Sequence, residues 1–195
     1  MKSNKLEQQL NFLREIDKLK RVLRQSPLLD QSRKENSAEH SWHLAMYALI
    51  LSEHAAAHVN VARVIKMLMI HDIVEIDAGD TPLHGKQDGN QFEREQLAAK
   101  RLFGLLPDAQ GDELSALWHE FEEGQSDDAQ FAKALDRFQP LLINVFTGGG
   151  TWVEGKVQYQ QVLERYGPAI QRGAPALWTL AQEWVAGHFD QSPTR

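Results

Sequence analysis

The chain has 195 residues, 42% of them apolar, which suffices for one hydrophobic core and fits one domain or a domain with a small appendage. Its formal net charge of −6 argues against a nucleic-acid polymer as partner, and the absence of cysteine excludes disulfides, thiolate metal sites and cysteine nucleophiles. The stretch MKSNKLEQQLNFLREIDKLK is charged throughout without an apolar signal core, and no apolar run approaches a membrane span, so a soluble, cytoplasmic protein is expected.

In chain order the sequence reads as helix after helix. Over 5–24, Leu6, Leu10, Leu13, Ile16, Leu19 and Leu23 recur at spacings of three and four, which predicts one amphipathic helix ending at Arg24. A loop through Pro27 and the polar run Asp30–Asn36 follows. Ser37 is a candidate N-cap for a second helix over about 38–57, with His40 in its first turn. A third, from Val61 to about Glu75, is apolar on nearly every face and so predicted to be buried. Asp77–Pro82 reads as a turn, with a polar loop continuing to Asn90.

Helices are predicted next at about 91–105, 112–123 and 127–146, the last kinked by Pro140. Gly148–Gly150 marks a flexible break. The stretch 156–189 reads as two more helices, with breaks at Gly167-Pro168 and Gly173–Pro175. No segment alternates at period two. The expected fold class is all-α, a helical bundle over 1–150 with a small helical C-terminal extension over 151–195 packed on it.

Four residues carry the chemistry: His40, the adjacent pair His71-Asp72, and Asp136. Asp72 closes the apolar run Val64–Ile70 and Asp136 sits among Ala132, Leu135 and Phe138, where an unpartnered charge would be costly. Two imidazoles and two carboxylates suit manganese, iron, cobalt, nickel or zinc. Adjacent helical residues point about 100° apart, so His71 and Asp72 embrace one ion only if other helices close its far side. His43, three residues after His40, competes for the first position.

Glu75 follows His71 by four residues and Asp72 by three, on the same helical face, placed to orient or deprotonate a water. Asp80 and Thr81 could offer a carboxylate and a hydroxyl to a substrate, whereas Asp77 reads as turn chemistry. Arg24, Arg33, Lys34, Lys133 and Arg137 are the cations near these positions, arginine being suited to phosphate by its fork. Gly148–Gly150 lacks the Lys-Ser/Thr of a phosphate loop.

These stretches resemble the HD superfamily of metal-dependent phosphohydrolases over about residues 10–145. Glu39-His40-Ser41, His71-Asp72-Ile73-Val74-Glu75, Gly79-Asp80-Thr81-Pro82 and Ala134-Leu135-Asp136 are similar to its 5′-deoxynucleotidase branch. The resemblance selects His40 over His43, because the family's first ligand follows an acidic residue; His43 then supports a ligand or the core. It implies an all-α, often dimeric enzyme that cleaves nucleoside 5′-monophosphates with a divalent ion, among cobalt, manganese, magnesium, zinc, nickel and iron. His40, His71, Asp72 and Asp136 would be ligands, Glu75 and Asp80 catalytic, and Arg24 and Asp80 to Leu83, through Thr81 and Pro82, substrate contacts; Arg33 is added to these contacts from its charge and its place just before His40. One departure stands out: the nucleotidases carry a Trp soon after the Arg, whereas Leu23-Arg24-Gln25-Ser26-Pro27 has none. The expectation is a hydrolase of a small phosphate monoester, a nucleotide, working as a homodimer without membrane. Two alternatives are a non-catalytic nucleotide sensor and a dinuclear-iron oxygenase of the same fold, the latter needing further histidines such as His84 or His119.

Overall fold

The computed structural model describes residues 4–85 and 89–191. The polar loop expected up to Asn90 runs through residues 86–88, and both chain ends carry residues outside the described set. The fold is all-α with one small two-stranded sheet. Among the described residues no helix is long and apolar enough to cross a membrane.

The first expected helix splits. α1 covers Lys5–Ile16 behind an Asn4 capping box, a 3-10 turn covers Asp17–Arg21, and β1 covers Leu23–Pro27. Arg24 therefore lies on a strand and not at a helix end. The expected core face of α1 is also corrected: Leu6, Leu10 and Leu13 stand exposed, while Phe12 and Leu19 are buried. β2, Lys34–Asn36, pairs antiparallel with β1 where a loop was expected, with Leu23 opposite Asn36 and Pro27 opposite Lys34 and an irregularity between.

α2 spans Ser37–Ile50, and its cap is Asn36, one residue before the expected Ser37. Asn36 accepts from the Glu39 N–H while the Glu39 carboxylate accepts from the Asn36 N–H, a reciprocal capping box. Ser37 is thereby freed for another partner. α3, Val61–Ile70, is capped by Asn60 and buries Val64, Met67, Leu68 and Ile70. The chain then tightens into a 3-10 turn, His71–Val74, and resumes as α4, Glu75–Ala78.

After residue 90 come α5 (Gln91–Phe103), α6 (Asp108–Glu123) and α7 (Asp127–Phe146). α6 starts four residues before its expected position, behind Pro107. α7 is the axis of the fold. Ser126 caps it, Asp127 and Asp128 complement its dipole, and Phe131, Ala132, Ala134, Leu135, Phe138 and Leu141 are buried along it. Pro140 lies within it and supplies no N–H to the carbonyl of Asp136, one turn back.

α8 (Gly150–Glu154), α9 (Tyr159–Gly173) and α10 (Pro175–Gln191) complete the chain. α9 and α10 pack against each other and against α7. Gly167-Pro168 does not break α9, contrary to expectation. Pro168 turns its ring to solvent, and Gly167 makes room for Trp178, whose ring would lie 2.8 Å from an added Cβ. Gly173 is tighter still: an added Cβ would meet the Gln130 carbonyl oxygen at 2.0 Å, so α9 ends against the backbone of α7.

Candidate metal centre and cleft

His40, closing the first turn of α2, is fully buried and points across to α7. Its Nε2 lies 3.0 Å from Asp136 Oδ1 and 4.0 Å from Asp72 Oδ2. His71 and Asp72 open the 3-10 turn after α3, where successive residues diverge by about 120° instead of 100°. His71 Nε2 nevertheless faces its neighbour, 3.0 Å from Asp72 Oδ1, and is 3.6 Å from Asp136 Oδ1. One donor atom from each of His40, His71 and Asp72 falls within 4.8 Å of the others, and Asp136 approaches both imidazoles from the far side. The structure thus brings together the four residues singled out in the sequence, from three separated segments.

Around them the remaining expected residues divide. Arg24 reaches in from β1, Nη1 at 3.0 Å from Asp72 Oδ2 and 3.7 Å from Asp80 Oδ1. Glu75 is buried, and its carboxylate accepts from the Ser37 hydroxyl at 2.5 Å. Asp80, Thr81, Pro82 and Leu83 line one wall of a cleft of about 550 Å³ that opens on Asp72 and Asp136. That volume lies in the usual range for small-molecule sites.

Arg33 is not brought into the cleft. It is exposed and forks onto the Glu39 carboxylate at 2.6 and 2.8 Å, because Glu39 must face outward to cap α2. Lys34 bonds Gln25 on the surface, and Asp77 pairs with Arg101 in place of a turn. Lys133 and Arg137 do line the cleft: Lys133 Nζ stands 4.5 Å above the Phe121 ring, and Arg137 Nη1 is 2.6 Å from Asp136 Oδ2. His43 packs edge-on to Tyr47 away from the cleft, and His119 is exposed beside Trp118. His84 lines the cleft against Tyr166.

Sequence reasoning missed several participants. Glu35, only 2% exposed on β2, approaches Arg24 and His40 together. Tyr166 from α9 and Thr151 from α8 close a wall from beyond the stretch expected to hold the site. Glu35 gives no periodic signal in a three-residue strand, and the partners of Tyr166 are visible only in three dimensions.

The charges explain the titration behaviour. Burial and the neighbouring Asp72 carboxylate push Glu75 up to about 9, against the opposing pull of Arg24 and the Ser37 hydroxyl. Burial favours neutral His71, but the Asp72 and Asp136 carboxylates outweigh it and raise His71 to about 9. Burial would raise Asp136 too; Arg137 and the two imidazoles hold it well below the usual carboxylate range. Asp80 is raised, chiefly by burial. Without a cation Glu75 and Asp80 therefore hold their protons to higher pH than a free carboxyl, whereas Asp136 stays ionised.

A sign follows for the metal-free protein. Glu75 and His71, raised from 4.5 and 6.5 respectively to about 9, each contribute stability that is complete below the unfolded value and lost as pH climbs through about 9. Asp136, being lowered, contributes in the opposite sense, but only at the acid end. The melting temperature of chelator-treated protein is expected to fall between pH 6.5 and 9. Added manganese should restore it most at the alkaline end, because it binds deprotonated donors. Thermal scans across that range check this; a flat metal-free profile would contradict the arrangement.

A model described as HD domain matches residues 16–178. The chain belongs to the HD-domain family. It is 33% identical over 135 residues to the 5′-deoxynucleotidase HDDC2 of Bos taurus, which covers 68% of this chain and 64% of that protein, so it spans under two thirds of this relative. A 5′-deoxynucleotidase of Citrobacter koseri is 27% identical over 166 residues, 80% of this chain and 83% of that one. The crystal structure of a predicted metal-dependent phosphohydrolase from Magnetospirillum magnetotacticum superposes with a TM-score of 0.91 at 50% identity, covering 95% of this chain and 93% of that one.

Membership of this family implies a divalent metal, and the residues present fit one. His71 Nδ1 bonds the Leu68 carbonyl at 2.8 Å, and a carbonyl only accepts, so Nδ1 carries the proton. Neutral His71 therefore turns an unprotonated Nε2 into the cluster. That nitrogen is buried, has no hydrogen-bond partner and is ringed by carboxylate oxygens. Donors about 2.0–2.2 Å from one ion lie some 3 Å apart, the scale of the closest separations here.

Proposed function

We propose that this protein is a metal-dependent phosphomonoester hydrolase that cleaves nucleoside 5′-monophosphates to nucleoside and phosphate. The observation that carries the reading is the convergence of two imidazoles and two carboxylates beside a half-buried arginine, at the floor of a cleft sized for a nucleotide. The named activities of the relatives support it. His40, His71, Asp72 and Asp136 would hold the ion. When bound, the ion supplies Lewis acidity toward phosphate and makes water more acidic.

The protein's own residues do the rest. Arg24 faces the phosphate, its guanidinium kept charged by the carboxylates around it. With a cation nearby to favour its charged form, Glu75 would be ionised and accept the proton of the attacking water as the new P–O bond forms. Asp80, a carboxyl inclined to keep its proton, donates it to the 5′ oxygen as the old P–O bond breaks. Tyr166, Leu83 and His84 offer apolar and ring surface to the nucleoside.

The test is a phosphate-release screen over nucleoside 5′-monophosphates with manganese, cobalt, magnesium, zinc or nickel added singly to metal-free protein. Release with none of these, from protein that binds the ions, would overturn the reading.

Sugar selectivity should be weak. Ser26 on β1 lines the cleft and is nearly buried, where the nucleotidase pattern has an aromatic ring close by. One hydroxyl without a dedicated partner is worth at most about two orders of magnitude. The ratio of kcat/KM for a matched deoxy and ribo pair is expected to be well below that, and Ser26→Trp to raise it. A native ratio in the thousands, unmoved by the substitution, would assign the sugar to another residue.

A further inference from the structure

The β1–β2 hairpin carries a buried charge that the proposed reaction does not use. Glu35 on β2 is 2% exposed, and an isolated carboxylate there would be expensive. Its Oε2 accepts from Gln139 Nε2 of α7 at 3.1 Å. Its Oε1 lies 3.3 Å from Arg24 Nε, across the hairpin, and 3.5 Å from His40 Nδ1, at the start of α2. Glu35 Oε1, Arg24 Nε and His40 Nδ1 are all buried, and none makes a hydrogen bond elsewhere. Three unsatisfied atoms, one acceptor and two donors, thus face one another.

Their other ends give the arrangement its meaning. Arg24 extends Nη1 to Asp72 and Asp80, and His40 extends Nε2 to Asp136 and Asp72. A carboxylate only accepts, so Glu35 requires the proton of neutral His40 on Nδ1 and leaves the Nε2 lone pair aimed into the cluster. We infer that Glu35 is a positioning residue, one buried carboxylate that sets the phosphate-facing Arg24 and the metal-facing His40 from a common support. This rests on the roles proposed above for Arg24 and His40. It also gives the hairpin a purpose: the cross-strand neighbours of a short sheet deliver a cation and its brace to the floor of the cleft.

A purely structural Glu35 would stabilise the hairpin and do nothing more, and Glu35→Gln separates the two roles. The amide keeps the shape, and Gln139 can turn its own unpartnered Oε1 toward it. The experiment titrates metal-free native and E35Q protein with Mn²⁺ by calorimetry, alongside steady-state kinetics and thermal scans. The expected result is Mn²⁺ binding weaker by about 10–100-fold, with a raised KM for the phosphate ester and a nearly native melting temperature without metal. An E35Q protein with native Mn²⁺ affinity and native KM, whatever its melting temperature, overturns the inference.

If E35Q does not fold, ¹⁵N shifts of His40 in native Zn²⁺-loaded protein decide: the Nδ1–H tautomer is expected, and the Nε2–H tautomer overturns the inference. Native protein that binds Mn²⁺ but releases no phosphate sinks the hydrolase reading alone, and the metal titration still tests Glu35. Native protein that binds no metal sinks both.

Discussion

Asp72→Asn is expected to leave a folded protein without metal and without turnover. The substitution preserves shape and removes charge. Asp72 faces both imidazoles and the arginine: Oδ1 is 3.0 Å from His71 Nε2, and Oδ2 is 3.0 Å from Arg24 Nη1 and 4.0 Å from His40 Nε2. An ion here would lose an anionic donor and keep the repulsion of Arg24, less shielded than before. Arg24 retains Asp80 and Glu35, so its charge is not abandoned and the fold should survive. Hydrolysis of a phosphate monoester is among the slowest uncatalysed reactions, so loss of the ion should take phosphate release to the assay background. Chelation of native protein should do the same and be reversed by manganese or cobalt, whereas the variant should not recover. Metal analysis with an activity assay checks both, and a metal-free variant that keeps native turnover would remove the ion from the mechanism.

Glu75→Gln should separate proton transfer from metal binding. Glu75 shares the floor with Asp72 but is held by Ser37 and stands outside the group of converging donors. Removal of a positioned general base costs on the order of 10²–10⁴ in rate, and that loss is expected in kcat with metal content and KM close to native. The amide can still accept from Ser37, so a loss of this size would report the missing base. An active Glu75→Gln protein would transfer the role to Asp80, the half-buried carboxyl next along the same wall.

Much of this was legible in the sequence where burial follows a helical period. The apolar face of α7 is found buried with Asp136 on it, whereas α3 buries one face only, Val64, Met67, Leu68 and Ile70, and leaves Met69 of the same run exposed, with His71 and Asp72 just beyond its end. Boundaries were less legible. Asn36 and Ser37 are both capping residues, and only the reach of Glu39 back to Asn36 chooses between them. The hairpin was invisible, since strands of five and three residues are too short to show alternation; Arg24 was placed at a helix end, and Glu35, the buried member of β2, passed as one more charge of a polar loop. The leucines of α1 misled in the opposite sense: a regular stripe was present, yet it faces water. Tyr166 was out of reach for a different reason, being brought to the cleft by the crossing of α9 over α7, which depends on the missing side chain of Gly173.

The wide spacing of the donors along the chain bears on how the protein is born. His40 and Asp136 are 96 residues apart, which at ~5–20 residues per second is roughly 5–20 s of ribosomal synthesis. For that interval the nascent chain holds His40, His71 and Asp72 without the helix that faces them, and Arg24 and Glu35 without Gln139 beneath. Water solvates these charges at no cost while the half-built floor stays open. The penalty of burying them falls due only when α7 arrives, and it falls due all at once. Docking of α7 is therefore the step at which a freshly made chain both acquires its core and commits its charged residues to one another.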